Sequence, residues 1–425
     1  MTVWAVDGAA GHGKTHRLIE EVVATLAAAP LAEGQRVLAL TFMHGSRRRL
    51  DERLRKLPDL NGRFECMTID SFARRLRQRW RSLSRAMGFS EPEEGPQQFS
   101  LECQRAGVLL GRPVVSAWVG KSFPILVIDE AQDLTEERLS MIRALSQATC
   151  VLLAEDEFQC LDQTLKPNPV HGWLPTVCQI QTLTEPKRTK VSELLGAAVA
   201  LRTGQPPVFK GKMRAVAAPS FHVAAACVAA ALTWNAGGGP VAILTPAPKS
   251  PYVRSTIARV QSAPCGKKRY GPFPIAWEES EHEELERLAK DLLIGADLYT
   301  LEASLHAVEA MPDSGPRRQT ADWLRRQARV VGRNSFSREE ILEALRRYAT
   351  ARRHRTGRKT PQFSAMTIHQ AKNREFAGVI VLWPYEIGGD ADAKRRLLYN
   401  ALTRAQLWCT VIVPNEKLLK AAPFA

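Results

Sequence analysis

The sequence predicts an α/β fold in which parallel sheets are covered by helices on both faces. Short, almost wholly apolar runs recur at Val3–Val6, Val37–Thr41, Ile125–Ile128, Val151–Ala154, Val241–Leu244, Val379–Leu382 and Cys409–Val413, and helical patterns lie between many of them. A strand buried on both faces reads as a continuous apolar run, and parallel strands need long, usually helical, crossovers. The runs form two clusters, before about residue 200 and after about residue 215, so the 425 residues divide into two α/β domains. Thr203-Gly204-Gln205-Pro206-Pro207 is rich in chain-breaking residues and is the expected join.

Between the fifth and sixth runs, Trp277 to Tyr348 reads as a helix-rich insert in the second domain. It opens acidic (Glu278, Glu279, Glu281, Glu283, Glu284, Glu286) and closes on the basic run Arg352-Arg353-His354-Arg355-Thr356-Gly357-Arg358-Lys359. That run reads either as a solvated linker or as a contact to a phosphate backbone. Hydrophobic residues make up 45% of the chain, enough for two cores, and the formal net charge of +15 favours an anionic partner. Nucleic acid is the first candidate and an acidic lipid surface the second. No run of about 18 apolar residues is present, so no transmembrane helix and no membrane partner are expected. The N-terminus reads as a buried strand entering a loop, not as a signal peptide. The eight cysteines are scattered without close pairs, which points to reduced thiols of a cytoplasmic protein, with no disulfide framework or zinc site.

The strongest local signal is Gly8-Ala9-Ala10-Gly11-His12-Gly13-Lys14-Thr15, a complete G-x-x-x-x-G-K-[ST] loop between a strand and a helical pattern. Glycines let the backbone wrap a phosphate, and backbone N–H groups at the helix start bind the anion. Lys14 is expected on the β/γ-phosphates of ATP and Thr15 on Mg²⁺. The run Ile125–Ile128 delivers Asp129 and Glu130 to the sheet edge where ligands of open α/β sheets bind. Asp129 suits the metal and Glu130 suits the general base for the attacking water. Together these elements specify a nucleoside triphosphatase.

The remaining motifs, in their order, resemble the UvrD/Rep-like superfamily 1 DNA helicases. They are Leu40-Thr41-Phe42 followed by a basic helix, Thr68-Ile69-Asp70-Ser71-Phe72, Asp129-Glu130-Ala131-Gln132-Asp133 and Glu155-Asp156-Glu157-Phe158-Gln159. Leu183-Thr184-Glu185-Pro186-Lys187-Arg188-Thr189 resembles the L-x-x-N-[YF]-R-[ST] element. Thr367 to Phe376 resembles T-I-H-x-[AS]-K-G-L-E-[FW], and Arg396 to Ala405 is close to R-L-[LF]-Y-V-A-[LM]-T-R-A. The resemblance implies two RecA-like P-loop domains with parallel sheets: 1–204 with a reduced insert at about 75–122, and 205–425 with a helical insert at about 277–360. It implies that Gln159 senses the γ-phosphate, that Arg188 and Arg404 act as arginine fingers and that Glu375 binds the ribose. Phe42, Thr68 and His369 would lie on a single-stranded DNA track, and movement would run 3′ to 5′.

The chain also departs from that pattern. The family's upstream glutamine that reads adenine has no counterpart before Asp7, so a preference for ATP over other nucleotides is not implied. Cys160-Leu161 replaces the usual S-I-Y, leaving Trp173 as a substitute stacking platform. Glu155 and Asn373 stand where glycines are usual, and Asn tolerates positive φ better than most residues. Only about fifty residues separate Phe72 from Ile125, so unwinding of duplex DNA by this chain alone is less firmly implied than ATPase and translocation. Three readings follow. The first is a DNA translocase or helicase, acting on single strands or at a duplex junction. The second is a nucleotide-gated regulatory or DNA-binding ATPase subunit of a phage-related or phage-defence complex, with a protein partner such as a nuclease. The third is a kinase using the same phosphate loop.

Overall fold

A computed structural model describes residues 2–42, 44–89, 98–235, 238–278, 292, 298–355 and 361–425. The acidic residues Glu279 to Glu286 and the side chains of the basic run Arg352 to Lys359 lie outside the described residues. The chain forms two compact bodies, Met1–Phe273 with Thr367–Ala425, and Pro274–Met366.

In the first body, β1 (Val3–Gly8), β2 (Val37–Thr41), β3 (Phe64–Thr68), β4 (Ile125–Asp129), β5 (Cys150–Glu155) and β6 (Ile180–Leu183) form one sheet in the order β3-β2-β4-β5-β1-β6. Every pairing is parallel. Alternate residues feed two cores. Ala5, Leu38, Leu40, Leu126, Ile128, Val151 and Leu153 pack on one face with Phe72, Leu76, Leu139 and Ile142. Val6, Val37, Ala39, Ile125, Val127, Leu152 and Ala154 pack on the other. That second face is covered by helices α1 (Lys14–Ala28) and α2 (His44–Leu54). Helix α1 presents Leu18, Val22 and Leu26 at four-residue spacing, one stripe turned toward the sheet.

The same body holds the parallel strands β7 (Met213–Ala217), β8 (Val241–Thr245), β13 (Phe376–Leu382) and β14 (Ala405–Val413), paired β7-β14-β13-β8. Strand β13 is buried along its whole length. The apolar runs expected to be strands are all strands. The strands β3, β6 and β7, not expected, have few fully buried residues. Strands β3 and β6 are the two edges of the first sheet, where one side of each strand needs no apolar cover.

The second body contains a parallel pair, β9 (Ala276–Trp277) with β12 (Phe363–Thr367), and an antiparallel pair, β10 (Leu298–Thr300) with β11 (Ser335–Ser337). Its helices cover Leu301–Glu309, Gly315–Val331 and Arg338–Arg355. Thr300 and Ser314 cap the first two through side-chain oxygens, and Gly332 ends the second in the left-handed region. A small core of Val308, Met311, Leu324, Phe336, Ile341 and Leu345 joins them.

One close approach sets a packing limit. A Cβ added at Gly378 in β13 would lie 2.1 Å from Cε2 and Cζ2 of Trp408 on β14. The indole is held in place by its Nε1, which donates to Asn235 Oδ1 at 3.1 Å. Gly378→Ala is therefore expected to cost about 1–3 kcal/mol of stability through overpacking. The check is the urea midpoint at unchanged slope; an unaltered midpoint would mean that the indole moves freely.

Candidate active site

The phosphate loop owes its shape to two glycines at positive φ, Gly11 at 82° and Gly13 at 84°. Gly13 is the left-handed residue that opens α1. A Cβ at Gly11 would come 2.8 Å from Cβ of Arg188, so that residue is required by packing as well as by backbone twist. Lys14 Nζ donates to the carbonyls of Gly8 at 2.7 Å and Ala9 at 3.3 Å and approaches Asp156 Oδ2 at 3.4 Å. His12 Nδ1 lies 3.3 Å from the Ala10 carbonyl.

Strand β4 ends on the two carboxylates. Thr15 Oγ1 donates to Asp129 Oδ2 at 2.9 Å, and the Glu130 N–H donates to Asp129 Oδ1 at 3.1 Å. Glu130 has φ 60°, a left-handed turn that stops the strand and aims its carboxylate sideways. Gln132 Nε2 holds that carboxylate at 2.6 Å. Burial, and then the neighbouring Glu130 charge, push the Asp129 carboxyl up to about 6. A hydroxyl and a carboxylate side by side form a hard-oxygen pair of the kind Mg²⁺ prefers, and a dication would offset the crowding of negative charge. Thr15 and Asp129 thus fit the metal expected with a nucleotide.

Behind this pair sits Asp156, fully buried. Its Oδ2 accepts from Gln159 Nε2 at 2.7 Å, and its Oδ1 accepts from Arg202 Nη1 at 2.5 Å. Gln132 Oε1 accepts from its N–H at 3.0 Å. Burial alone would raise this carboxyl, but Lys14 and Arg202 outweigh it and hold the group below its ordinary range. Gln159 turns its other end to the second cluster of strands, where Oε1 accepts from Arg404 Nη2 at 3.1 Å. Arg404 is 1% exposed, and burial, then the nearby Arg188, lower its guanidinium to about 9.

Further bonds cross from the phosphate-loop side to the helix Ala391–Leu402 and its flanks. The Ala10 N–H donates to Tyr399 Oη at 2.8 Å. Arg188 Nη1 donates to the Thr403 carbonyl at 2.7 Å, and its Nη2 pairs with Glu375 at 3.1 Å. Arg396 Nη1 donates to the Glu157 carbonyl at 2.5 Å, and Lys372 Nζ donates to both Asp133 oxygens at 2.8 Å. The structure therefore brings Lys14, Thr15, Asp129, Glu130, Gln159, Arg188, Glu375 and Arg404 into one connected cluster. Arg188 pairs with Glu375, not with its near neighbour Glu185.

The expected track residues lie elsewhere. Phe42 is half-buried with the Arg138 guanidinium 5.0 Å from its ring. It lines a groove of about 270 Å³ with Thr68, Asp70, Ser71, Arg74, Arg75, Gln78 and Phe99. Thr68 caps the helix Ile69–Arg79 by accepting from the Ser71 N–H at 3.2 Å. His369 is exposed in the turn after β12. Trp173 does not supply a stacking platform. It is 8% exposed and belongs to the core with Val170 and Leu174, because the helix Pro169–Val177 turns that stripe inward. Asn373 adopts φ 62°, so the asparagine takes the conformation a glycine would.

Sequence reasoning gave no role to Gln132, Asp156, Tyr399, Lys372 or Asp133, although all sit inside quoted motifs. Arg202 had no signal at all.

Two family models match parts of this chain. A family model described as an AAA domain matches residues 1–164, and one described as the UvrD-like helicase C-terminal domain matches residues 362–412. A search of curated protein sequences returned no match. Similar solved structures include the Arterivirus nonstructural protein 10 (helicase) in complex with DNA, at 13% identity and TM-score 0.39, over 99% of this chain and 62% of that one. The crystal structure of Arterivirus nonstructural protein 10 (helicase) aligns at 12% identity and TM-score 0.40, over 100% and 62%. This chain thus spans about three fifths of that protein's length.

Fold and site define a P-loop nucleoside triphosphatase built on parallel α/β sheets. Within that class, the match of residues 1–164 to an AAA domain and of residues 362–412 to the UvrD-like helicase C-terminal domain supports a UvrD/Rep-like superfamily 1 helicase.

The Asp129 carboxyl gives a stability test. With its folded value raised from 3.8 to about 6, the folded chain binds more protons than the unfolded chain between those limits. Stability therefore falls as pH rises through that window, and the full cost is present above it. Asp129→Asn keeps an acceptor for the Glu130 N–H, turns its amide donor to the Thr15 hydroxyl, which can accept, and removes the cost. It is expected to stabilise the protein by on the order of 1–3 kcal/mol at pH 7.5, with a smaller gain at pH 5. Thermal unfolding at both pH values checks this; a lower melting temperature at pH 7.5 would refute it.

Proposed function

We propose that this chain is an ATP-dependent translocase or helicase that moves 3′ to 5′ along single-stranded DNA. Hydrolysis occurs in a cleft between a first RecA-like lobe, 1–204, and a second, 205–425, that carries an insert at about 277–360. The observation that carries the reading is the Gln159 bridge, one amide bonded to Asp156 beside Lys14 and to Arg404 from the far lobe.

The chemistry follows from that arrangement. Lys14 and the loop N–H groups bind the triphosphate. Thr15 and Asp129 would hold Mg²⁺, which would supply positive charge against the phosphates. Glu130, fixed by Gln132, orients the attacking water and accepts its proton. Arg404 and Arg188 meet the charge that develops in the transition state, worth roughly 10³–10⁵ in rate in related systems. Glu375, beside Arg188, takes the ribose. Loss of the γ-phosphate removes an anion that draws the arginines further toward the phosphate loop, and the lobes shift relative to the strand. Phe42, Thr68 and His369 lie along that strand, with Arg74 and Arg75 of the groove near Phe42 on its phosphates. The net charge of +15 fits such a partner. The protein works in the cytoplasm.

A second reading is favoured by the burial of Trp173, which leaves one stacking platform unreplaced. In it, the chain is a nucleotide-gated ATPase subunit that binds DNA, and a partner such as a nuclease completes the activity.

Steady-state turnover separates the two. A motor is expected to hydrolyse ATP at least about tenfold faster with single-stranded DNA. Lys14→Ala and Glu130→Gln should abolish turnover while leaving DNA binding intact. Turnover indifferent to any nucleic acid would exclude the motor and favour the gated subunit.

A further inference from the structure

We infer that Lys187 is a triphosphate-binding residue, and that the nucleotide site reads phosphates and not the base, so it accepts the four ribonucleoside triphosphates alike. The inference rests on the reading of the site as a nucleoside triphosphatase and names its substrate class more narrowly.

The geometry begins with the backbone. The N–H groups of Lys187 and Arg188 both donate to the Gly11 carbonyl, at 2.7 and 3.0 Å. The segment is thereby clamped to the phosphate loop. The Lys187 side chain then runs across Gly13, the residue that opens α1: a Cβ there would lie 2.9 Å from its Cδ, 3.5 Å from Cε and 3.6 Å from Cγ. The methylenes lie against the turn where the N–H groups of the first helical turn converge, and carry the ammonium along the anion cradle.

The other cations of the cradle are engaged. Lys14 is bonded to Gly8, Ala9 and Asp156, Arg188 to Thr403 and Glu375, and Arg404 to Gln159 and Asn400. Lys187 is exposed, and among the described residues no hydrogen bond or ion pair engages its ammonium. It can meet a phosphate without breaking anything. Arg49 on α2 adds to the field. Its guanidinium is lowered by burial and by Arg188, Arg53 and Arg374, with Glu375 as the counter-charge. Such crowding of like charge is relieved by an anion.

Among the described residues, the cavity beside the loop presents little that would read a base. The cavity beside the loop, lined by Ala10, Gly11, Pro186, Leu194, Ala198 and Leu402 among others, has no aromatic ring, and its one charged side chain is Arg188. Lys187 itself stands at the aromatic position of L-x-x-N-[YF]-R. An aromatic ring there offers a face to a base, whereas a lysine offers charge to a phosphate.

The test compares ATP, GTP, CTP and UTP, with inorganic tripolyphosphate and adenosine as competitors. It uses the full chain and the variants Lys187→Met, which keeps a flexible apolar chain, and Lys187→Arg. The four substrates are expected within about fivefold in kcat/KM, with tripolyphosphate competing and millimolar adenosine not. Lys187→Met should raise KM for all four by a common factor of about tenfold, and weaken tripolyphosphate equally, with kcat little changed. Lys187→Arg should restore both. A preference for ATP above about fiftyfold, or a Lys187→Met chain with unchanged KM and tripolyphosphate affinity, would overturn the inference. Absence of turnover with every nucleotide would instead defeat the triphosphatase reading. Calorimetric titration of tripolyphosphate into wild type and Lys187→Met would then still decide whether Lys187 binds phosphate.

Discussion

One buried carboxylate organises the site. Asp156 sits at the end of β5 with no exposed surface. An ionised carboxylate in that position is costly unless charges and donors surround it. The surrounding groups come from separate elements: Lys14 from the phosphate loop, Gln159 from the turn that follows, and Arg202 from the helix Ser192–Arg202. Each is thereby pinned to the others. The phosphate-loop lysine cannot change its position without disturbing the anion that also holds the glutamine, and the glutamine is what Arg404 touches. The electrostatic need of one group thus links nucleotide chemistry to the far helix.

The sheet scaffold was readable because its central strands are buried on both faces. Nothing polar interrupts Ile125–Ile128 or Val379–Leu382, so a bare hydrophobic run sufficed. The edge strands β3 and β6 hid because polar residues such as Glu65, Gln181 and Thr182 are tolerated on a half-covered strand. The phosphate loop and the Asp129–Glu130 pair were equally plain, since each is a local string whose chemistry depends on adjacent residues.

Pairings over long separations were not readable. Tyr399 meets Ala10, Lys372 meets Asp133, and Arg396 meets Glu157, each across more than 200 positions. Short motifs place such residues in a string but carry no information on which partner the fold supplies. Trp173 shows the converse error. An aromatic near the right motif invites a binding role, yet its spacing with Val170 and Leu174 follows an inward helical stripe.

The left-handed backbone at Glu130 has a consequence for how this position can vary. Valine, isoleucine and threonine resist that twist, whereas glycine, asparagine and aspartate accept it. Of the substitutions that sit comfortably there, only aspartate keeps a carboxylate, one methylene short of the position that Gln132 holds, while many of the others will distort the β4 terminus. Backbone twist and side-chain reach thus narrow the choice from opposite directions.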